Sequence, residues 1–307
     1  MAIYKLALQT MRHPLCVLRN FNRGFKAWVE GIQTEAFPPG HFYSPVPSLD
    51  DVRQNEERIF HTPESVPGID LNVAEQMEFL GTFKAMSGEM PFQQEKQDHL
   101  RYYFNNENFS YFDAIALHGM IRHAKPKRII EVGSGFSSCV TLDTNELFFH
   151  GKISCTFIEP YPDLLYSLLK PGDREQVTII PSKVQDVPTS TFADLEAGDI
   201  LFIDSTHVSK IDSDVNHELF RILPALAPGV FIHFHDIFYP FEYPKQWLYD
   251  GRSWNENYLL RAFLQYNSAF KIVFFNDWFA RLNNDLLKTQ MPDALKNTGG
   301  SIWLKKL

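Results

Sequence analysis

The sequence predicts an α/β protein built on a mostly parallel sheet, covered by helices on both faces and finished by an antiparallel strand pair. Three observations predict it. After Pro126, short apolar runs alternate with helical patterns, as expected of strands buried on both faces. The first run leads through Gly133-Ser134-Gly135 into a helix, a turn where backbone can approach a ligand closely. Phe270–Phe275 reads as a further strand and Gly299–Lys305 as another, the latter too close to Leu307 to be followed by a helix, so the two read as an antiparallel hairpin.

Taken in order, Met1 to Val29 carries five basic residues and no acidic one, interleaved with leucines and aromatics. Two readings stand: an amphipathic segment in peripheral contact with a membrane, interrupted by Pro14, or a helix docked on the domain. Glu35 to Pro67 holds seven helix-breaking prolines and glycines and reads as an extended, wrapping segment. Met77, Leu80 and Phe83 recur at helical spacing within Val73–Met86, with Asn72 placed to cap the start. Tyr102 to Tyr111 is rich in aromatics and amides, which suits either a pocket for a polar ring or a loop packed under the next helix. That helix spans 112–124 and ends at Pro126.

The strands then follow as Arg128–Val132, Ile153–Ile158, Val177–Pro181, Ile200–Ile203 and Gly229–Phe234. Val215, Leu219, Ile222, Leu223 and Leu226 share a helix face before the fifth, and Pro228-Gly229 stops that helix. With the terminal pair the sheet has seven strands. Residues 1–124 form an extension of helices and extended chain, and 125–307 form the sheet domain.

Composition narrows the function. With 37 acidic and 29 basic residues the net charge is −8, so no nucleic-acid partner is expected. Cys16, Cys139 and Cys155 are odd in number and not in metal-ligand spacing, which reads as reduced thiols in the cytoplasm. No apolar run reaches the ~18 residues of a membrane span, and no secretory leader is visible.

Chemistry concentrates at strand ends, where ligands bind in sheets of this kind. Glu131 lies two residues before Gly133, Glu159 ends the second strand, Asp204 the fourth, and His235-Asp236 the fifth. A dehydrogenase fingerprint requires glycine where Ser138 stands. Glu159 is placed to accept hydrogen bonds from both hydroxyls of a ribose. His207, His235 and Asp236 are candidate acid–base groups.

Glu131-Val-Gly133-Ser134-Gly135-Phe-Ser137-Ser138 resembles the first motif of S-adenosylmethionine (SAM)-dependent methyltransferases. Asp204-x-x-His207, the acidic helix start, Pro228-Gly229 and His235-Asp236 resemble a class I branch that includes sugar O-methyltransferases and cephalosporin-hydroxylase-like proteins. The resemblance covers about Arg128 to Asp236 and implies a Rossmann-like fold and SAM as cofactor. It places Glu131, Gly133, Ser134, Gly135, Ser137, Ser138, Glu159, Asp186 and Asp204 at that cofactor, with Asp186 at the adenine edge. It implies O-methylation of a small-molecule acceptor, such as a saccharide or secondary metabolite, with the N-terminal extension covering the acceptor site.

Methyl transfer to a hydroxyl requires a base, for which His207 ranks first, His235 second, with Asp236 beside them. Related enzymes hold Mg²⁺ at such strand ends, which makes Asp204, Asp236 and His235 a candidate divalent-metal set. Phe238 to Pro244 and Trp247 form an aromatic loop suited to stacking on an acceptor or to packing. A nicotinamide-dependent oxidoreductase and a non-catalytic SAM-binding scaffold, with an oligomer as one form of assembly, are the alternatives.

Overall fold

The computed structural model describes residues 36–307, so the basic segment Met1–Val29 and Cys16 lie outside the described residues. The described residues fall into two compact units, residues 36–56 and Glu57–Leu307. Within the first, a short helix at Leu49–Gln54 departs from the extended chain expected there. Ser48 caps it by accepting from the Asp51 amide, and Asp50 and Asp51 fill its first turn. The reason is local: no proline interrupts the stretch between Pro47 and Pro63.

The second unit holds the sheet: β1 (Arg128–Val132), β2 (Ser154–Ile158), β3 (Thr178–Ile180), β4 (Ile200–Ile203), β5 (Phe231–His235), β6 (Phe270–Phe275) and β7 (Ser301–Lys306). Their order is β3-β2-β1-β4-β5-β7-β6. The first five strands pair in parallel, and β7 runs antiparallel between β5 and β6. The alternating sequence thus gives the Rossmann-like seven-stranded sheet with its terminal hairpin. The strand order reverses between β1 and β4, the switch point at whose carboxyl edge ligands bind in such sheets.

Every residue of β4 and β5 is buried, which is why β4 reads as a continuous apolar run, while β5 carries His233 and His235 into the interior. Phe157, Phe202, Phe234, Phe274 and Trp303 are almost wholly enclosed. Each such side chain contributes ~1.5–3 kcal/mol on burial.

Helix α1 (Val73–Met86) packs on helix α2 (Tyr111–Ala124) and on β6. A Cβ at Gly119 would lie 2.3 Å from the Phe83 ring, so glycine permits this approach. Asn72 does not cap α1 through its side chain. Its backbone is left-handed, and its amide donates instead to Glu75 and to the Ile272 carbonyl on edge strand β6. Residues of both helices share one core with the sheet. Helix α3 (Phe136–Phe149) follows the glycine turn. Arg101, 6% exposed, ties the preceding chain to α3 through Asp143 and Glu146, and to Asp173 beyond β2. No helix of the described residues is long and apolar enough to cross a membrane.

Candidate active site

The glycine turn is laced to three strand ends. Gly133 N–H donates to the Ile158 carbonyl of β2, and Asp204 N–H donates to the Val132 carbonyl of β1. Gly133 has φ +78°, and a Cβ there would stand 1.8 Å from the Asp204 carbonyl oxygen. Only glycine fits both constraints. Beneath the turn, the Ser137 and Ser138 hydroxyls donate to one oxygen of Glu131 at 2.6 and 2.8 Å, and Ser138 Oγ accepts from Gly135 N–H. Glu131 is fully buried and its other oxygen has no protein partner. Burial, which the two serine hydrogen bonds only partly offset, pushes its carboxyl up to about 8.

A cleft of about 380 Å³ opens at the ends of β1, β2 and β4, within the size range of small-ligand sites. Gly133, Glu159 and Asp204 line it. Glu159 accepts from the amides of Tyr161 and Ser134 at 2.8 and 3.3 Å. The other predicted residues stand elsewhere. Glu131, Ser137 and Ser138 form the floor under the turn, Ser134 and Gly135 belong to the turn itself, and Asp186 is off the walls, where its neighbour Gln185 stands instead. Sequence reasoning missed Lys183, Lys210, Asp212 and Asp214, which complete the lining. The serine and two aspartates that precede the helix at Asp214–His217 were the available signal. Ser213 caps that helix, and Asp214 accepts from the amide and hydroxyl of Thr206.

The cleft shares Asp204 with a cluster of histidine and carboxylates. His207 Nε2 lies 3.4 Å from Asp204 and 3.5 Å from Asp236, while His207 Nδ1 is 2.8 Å from Glu256. Backbone φ is +60° at His207 and +55° at Asp236, a conformation uncommon outside glycine. The Asn255 and Glu256 amides, at the start of helix α4 (Glu256–Leu264), both donate to the His207 carbonyl and hold it in place. His235 Nε2 is 3.6 Å from Asp236, and the Phe109 ring lies 5.2 Å from the His235 ring.

Opposed forces set the charges. Burial disfavours a proton on His207, but hydrogen bonds to Asp204 and Glu256 and the nearby Asp236 outweigh it and raise its pKa well above the usual imidazole range. Burial would raise Asp204, yet His235 and His207 bring it below the ordinary carboxylate value. At Asp236 burial wins over the two histidines, and its carboxyl is pushed up to about 6. His235 is itself raised: burial opposes its charge, and Asp204, Asp236 and Asp113 favour it more.

This arrangement corrects the expected metal triad of Asp204, Asp236 and His235. No group of three or more histidine, cysteine, aspartate or glutamate side chains among the described residues is arranged to hold a metal ion. The geometric reason is that Asp204 and Asp236 both approach Nε2 of His207, at 3.4 and 3.5 Å. Glu256, which favours a positive charge on that ring, opens the helix whose polar groups the sequence directs to the same pocket; the pairing with His207, 49 positions away, is what the structure adds.

An aromatic wall adjoins the cluster. The Trp254 ring is 4.5 Å from the His207 ring, 5.4 Å from Trp247 and 6.0 Å from Tyr243. Phe238 lies 5.0 Å from Trp247. The stretch from Tyr102 to Tyr111 is a packed loop: Tyr102 hydroxyl and Asn106 amide both donate to the Phe109 carbonyl, and Tyr102, Phe104, Phe109 and Tyr111 are buried.

Residues 130–237 match a family model described as a methyltransferase domain. The chain is 42% identical over 166 residues to an uncharacterized protein of Archaeoglobus fulgidus, covering 52% of this chain and 74% of that one. Among solved structures it is similar to the SAH-bound Podospora anserina methyltransferase PaMTH1, at 14% identity and TM-score 0.43, over 89% of this chain and 99% of that one. It is also similar to the O-methyltransferase TomG from Streptomyces achromogenes in complex with SAM, at 13% identity and TM-score 0.43, over 84% and 95%.

Proposed function

We propose that the chain, whose residues 130–237 match a methyltransferase domain, is a class I SAM-dependent methyltransferase that methylates a hydroxyl group of a small polar acceptor, such as a saccharide or secondary metabolite, with Asp236 as the base. The observation that carries the reading is the shared wall: Asp204 lines the cleft and also touches the His207–Asp236 cluster.

The cleft suits a cationic cofactor. Glu159, Asp204, Asp212 and Asp214 line it against two lysines, a field that favours a sulfonium over a dinucleotide pyrophosphate. The Gly135 amide at the start of α3, which would face a pyrophosphate, is already taken by Ser138. Glu159 offers its remaining lone pairs to a ribose diol. SAM supplies an electrophilic methyl group when bound.

The chain's own residues then do three things. Asp236, with a pKa near the working pH, takes the hydroxyl proton. His207 is better suited to the role of fixed cation than to that of base, since Glu256 and Asp204 keep a proton on its ring. It holds Asp204 and Asp236 in register. Half-buried Trp254 and Trp247, backed by buried Tyr243, are the rings on which a sugar or aromatic acceptor stacks and water is displaced. Phe109, set against His235, supports the reading of the chain before residue 125 as a cover for that site.

Calorimetric titration of SAM, SAH and NADH into the purified full chain tests the reading. SAM and SAH binding at about micromolar Kd without an NADH signal is the expected result. NADH binding alone would favour an oxidoreductase and overturn it. Heat from none of the three would favour a scaffold without catalysis.

A further inference from the structure

Arg252 has no part in the chemistry above, yet it is held on the same indole as the reacting cluster. Its Cζ stands 4.2 Å over the Trp247 ring and 5.3 Å from the Trp254 ring. The guanidinium is exposed, and among the described residues no carboxylate pairs with it; the two indoles are its contacts. The chain has 37 acidic residues against 29 basic, and most of the buried or half-buried cations described above pair with an acid. A cation kept in place by ring faces alone retains its charge and its N–H fork for something outside the chain.

Its position is tied to the site. Arg252 N–H donates to the Trp247 carbonyl, and two residues beyond Trp254 the Asn255 and Glu256 amides hold the His207 carbonyl. Trp254 therefore has His207 4.5 Å from its ring centre and the Arg252 guanidinium 5.3 Å from it. His207 and Arg252 thus border the same indole. The two ends differ in sign. Asp204, Asp236 and Glu256 crowd the His207 end and repel an anion there, whereas Arg252 attracts one.

We propose that Arg252 selects acceptors that carry an oxyanion, a carboxylate or a phosphate, remote from the hydroxyl to be methylated. The planar guanidinium fork matches either group through paired N–H···O bonds. With the anion on Arg252 and the neutral hydroxyl toward Asp236, the charge gradient along the aromatic wall also orients the acceptor. This inference rests on the methyltransferase reading and adds the acceptor's charge to it.

The test has two arms on the full chain saturated with SAH or supplied with SAM. In the first, inorganic phosphate is titrated against potassium chloride of matched ionic strength while tryptophan fluorescence is read, since Trp247 and Trp254 flank the guanidinium. A saturable phosphate response is expected in the wild type, weakened at least about tenfold in Arg252→Gln and partly restored in Arg252→Lys. In the second, methyl transfer to glucose is compared with transfer to glucuronate and to glucose 6-phosphate, and catechol with 3,4-dihydroxybenzoate. The anionic member of a pair is preferred by about tenfold or more in kcat/KM, and the preference falls toward one in Arg252→Gln. Which of glucuronate and the sugar phosphate is preferred identifies the oxyanion. A wild type with no saturable phosphate response, or an Arg252→Gln variant that responds like the wild type, overturns the proposal whether or not any sugar is turned over. Failure of SAH to bind in the same samples would instead count against the methyltransferase reading.

Discussion

Replacing Glu131 by glutamine isolates the carboxyl that supports the glycine turn. In the native chain one of its oxygens accepts from Ser137 and Ser138, and the other is buried without a partner. Glutamine keeps the acceptor and the shape but cannot ionise. The folded carboxyl, at about 8, lies above its ordinary value of 4.5, so between these values the native chain holds a proton that the unfolded chain has released. Its contribution to stability is therefore complete below about pH 4.5, falls as pH rises, and is gone above about pH 8. From pH 5 to pH 9 the loss spans about three pKa units, or ~4 kcal/mol. Urea unfolding of ligand-free wild type and Glu131→Gln at pH 5, 7 and 9 measures it. The variant should gain ~4 kcal/mol on the wild type across that range. Parallel curves would mean that Glu131 is ionised in the native chain, and that the turn rests on a charge.

Glu159→Ala removes the charge-assisted hydrogen bonds proposed for the ribose and should weaken SAM binding by roughly 10- to 150-fold in calorimetry; unchanged affinity in a folded variant would move the ribose elsewhere. Asp236→Asn should lower kcat by about 10²- to 10⁴-fold. In the wild type the active carboxylate is lost as pH falls through about 6, so kcat/KM should decline below that pH, and a flat profile would remove Asp236 as base. His207→Gln takes away a charge that lowers the Asp236 pKa, so any remaining activity should show its acid limb at higher pH, and a limb shifted the other way would contradict the imidazolium assignment. Gly133→Ala places a methyl group against the Asp204 carbonyl at positive φ and should cost more than about 4 kcal/mol or prevent folding; denaturation within about 1 kcal/mol of wild type would show that the strand ends are loosely laced.

Much of this was legible from residue order because the relevant forces are local. Burial on both faces makes β4 a continuous apolar run, and the parallel strand order sets Glu159, Asp204 and Asp236 just past neighbouring strand ends at one edge of the sheet. Side-chain direction was less legible. Ser137 and Ser138 occupy the helix start expected of a cofactor loop, yet their hydroxyls turn inward onto Glu131. Asn72 has the residue type of a helix cap, but a left-handed backbone sends its amide to β6. Contacts across sequence were not legible at all. Glu256 meets His207 across 49 positions, and Arg101 meets Asp143 and Asp173 across 42 and 72. Nothing in spacing encodes such pairs, since tertiary packing brings them together.

The distant partner Glu256 changes the chemical meaning of residues the sequence did identify. An Asp-x-x-His at one strand end and a His-Asp at the next, taken alone, suit a metal set or a histidine base. Adding a buried carboxylate 2.8 Å from His207 Nδ1 fixes the ring's orientation and favours its protonated form. The imidazolium then offsets the charge of Asp204 and Asp236 across 3.4 and 3.5 Å. Of these two, Asp204 is held ionised, while burial leaves Asp236 poised near neutrality. Two aspartates at neighbouring strand ends are thereby separated in proton affinity, one suited to remain an anion beside the cofactor cleft and the other to exchange a proton with an acceptor. That division of roles comes from burial and from one long-range hydrogen bond, since the two residues are the same in type and alike in position.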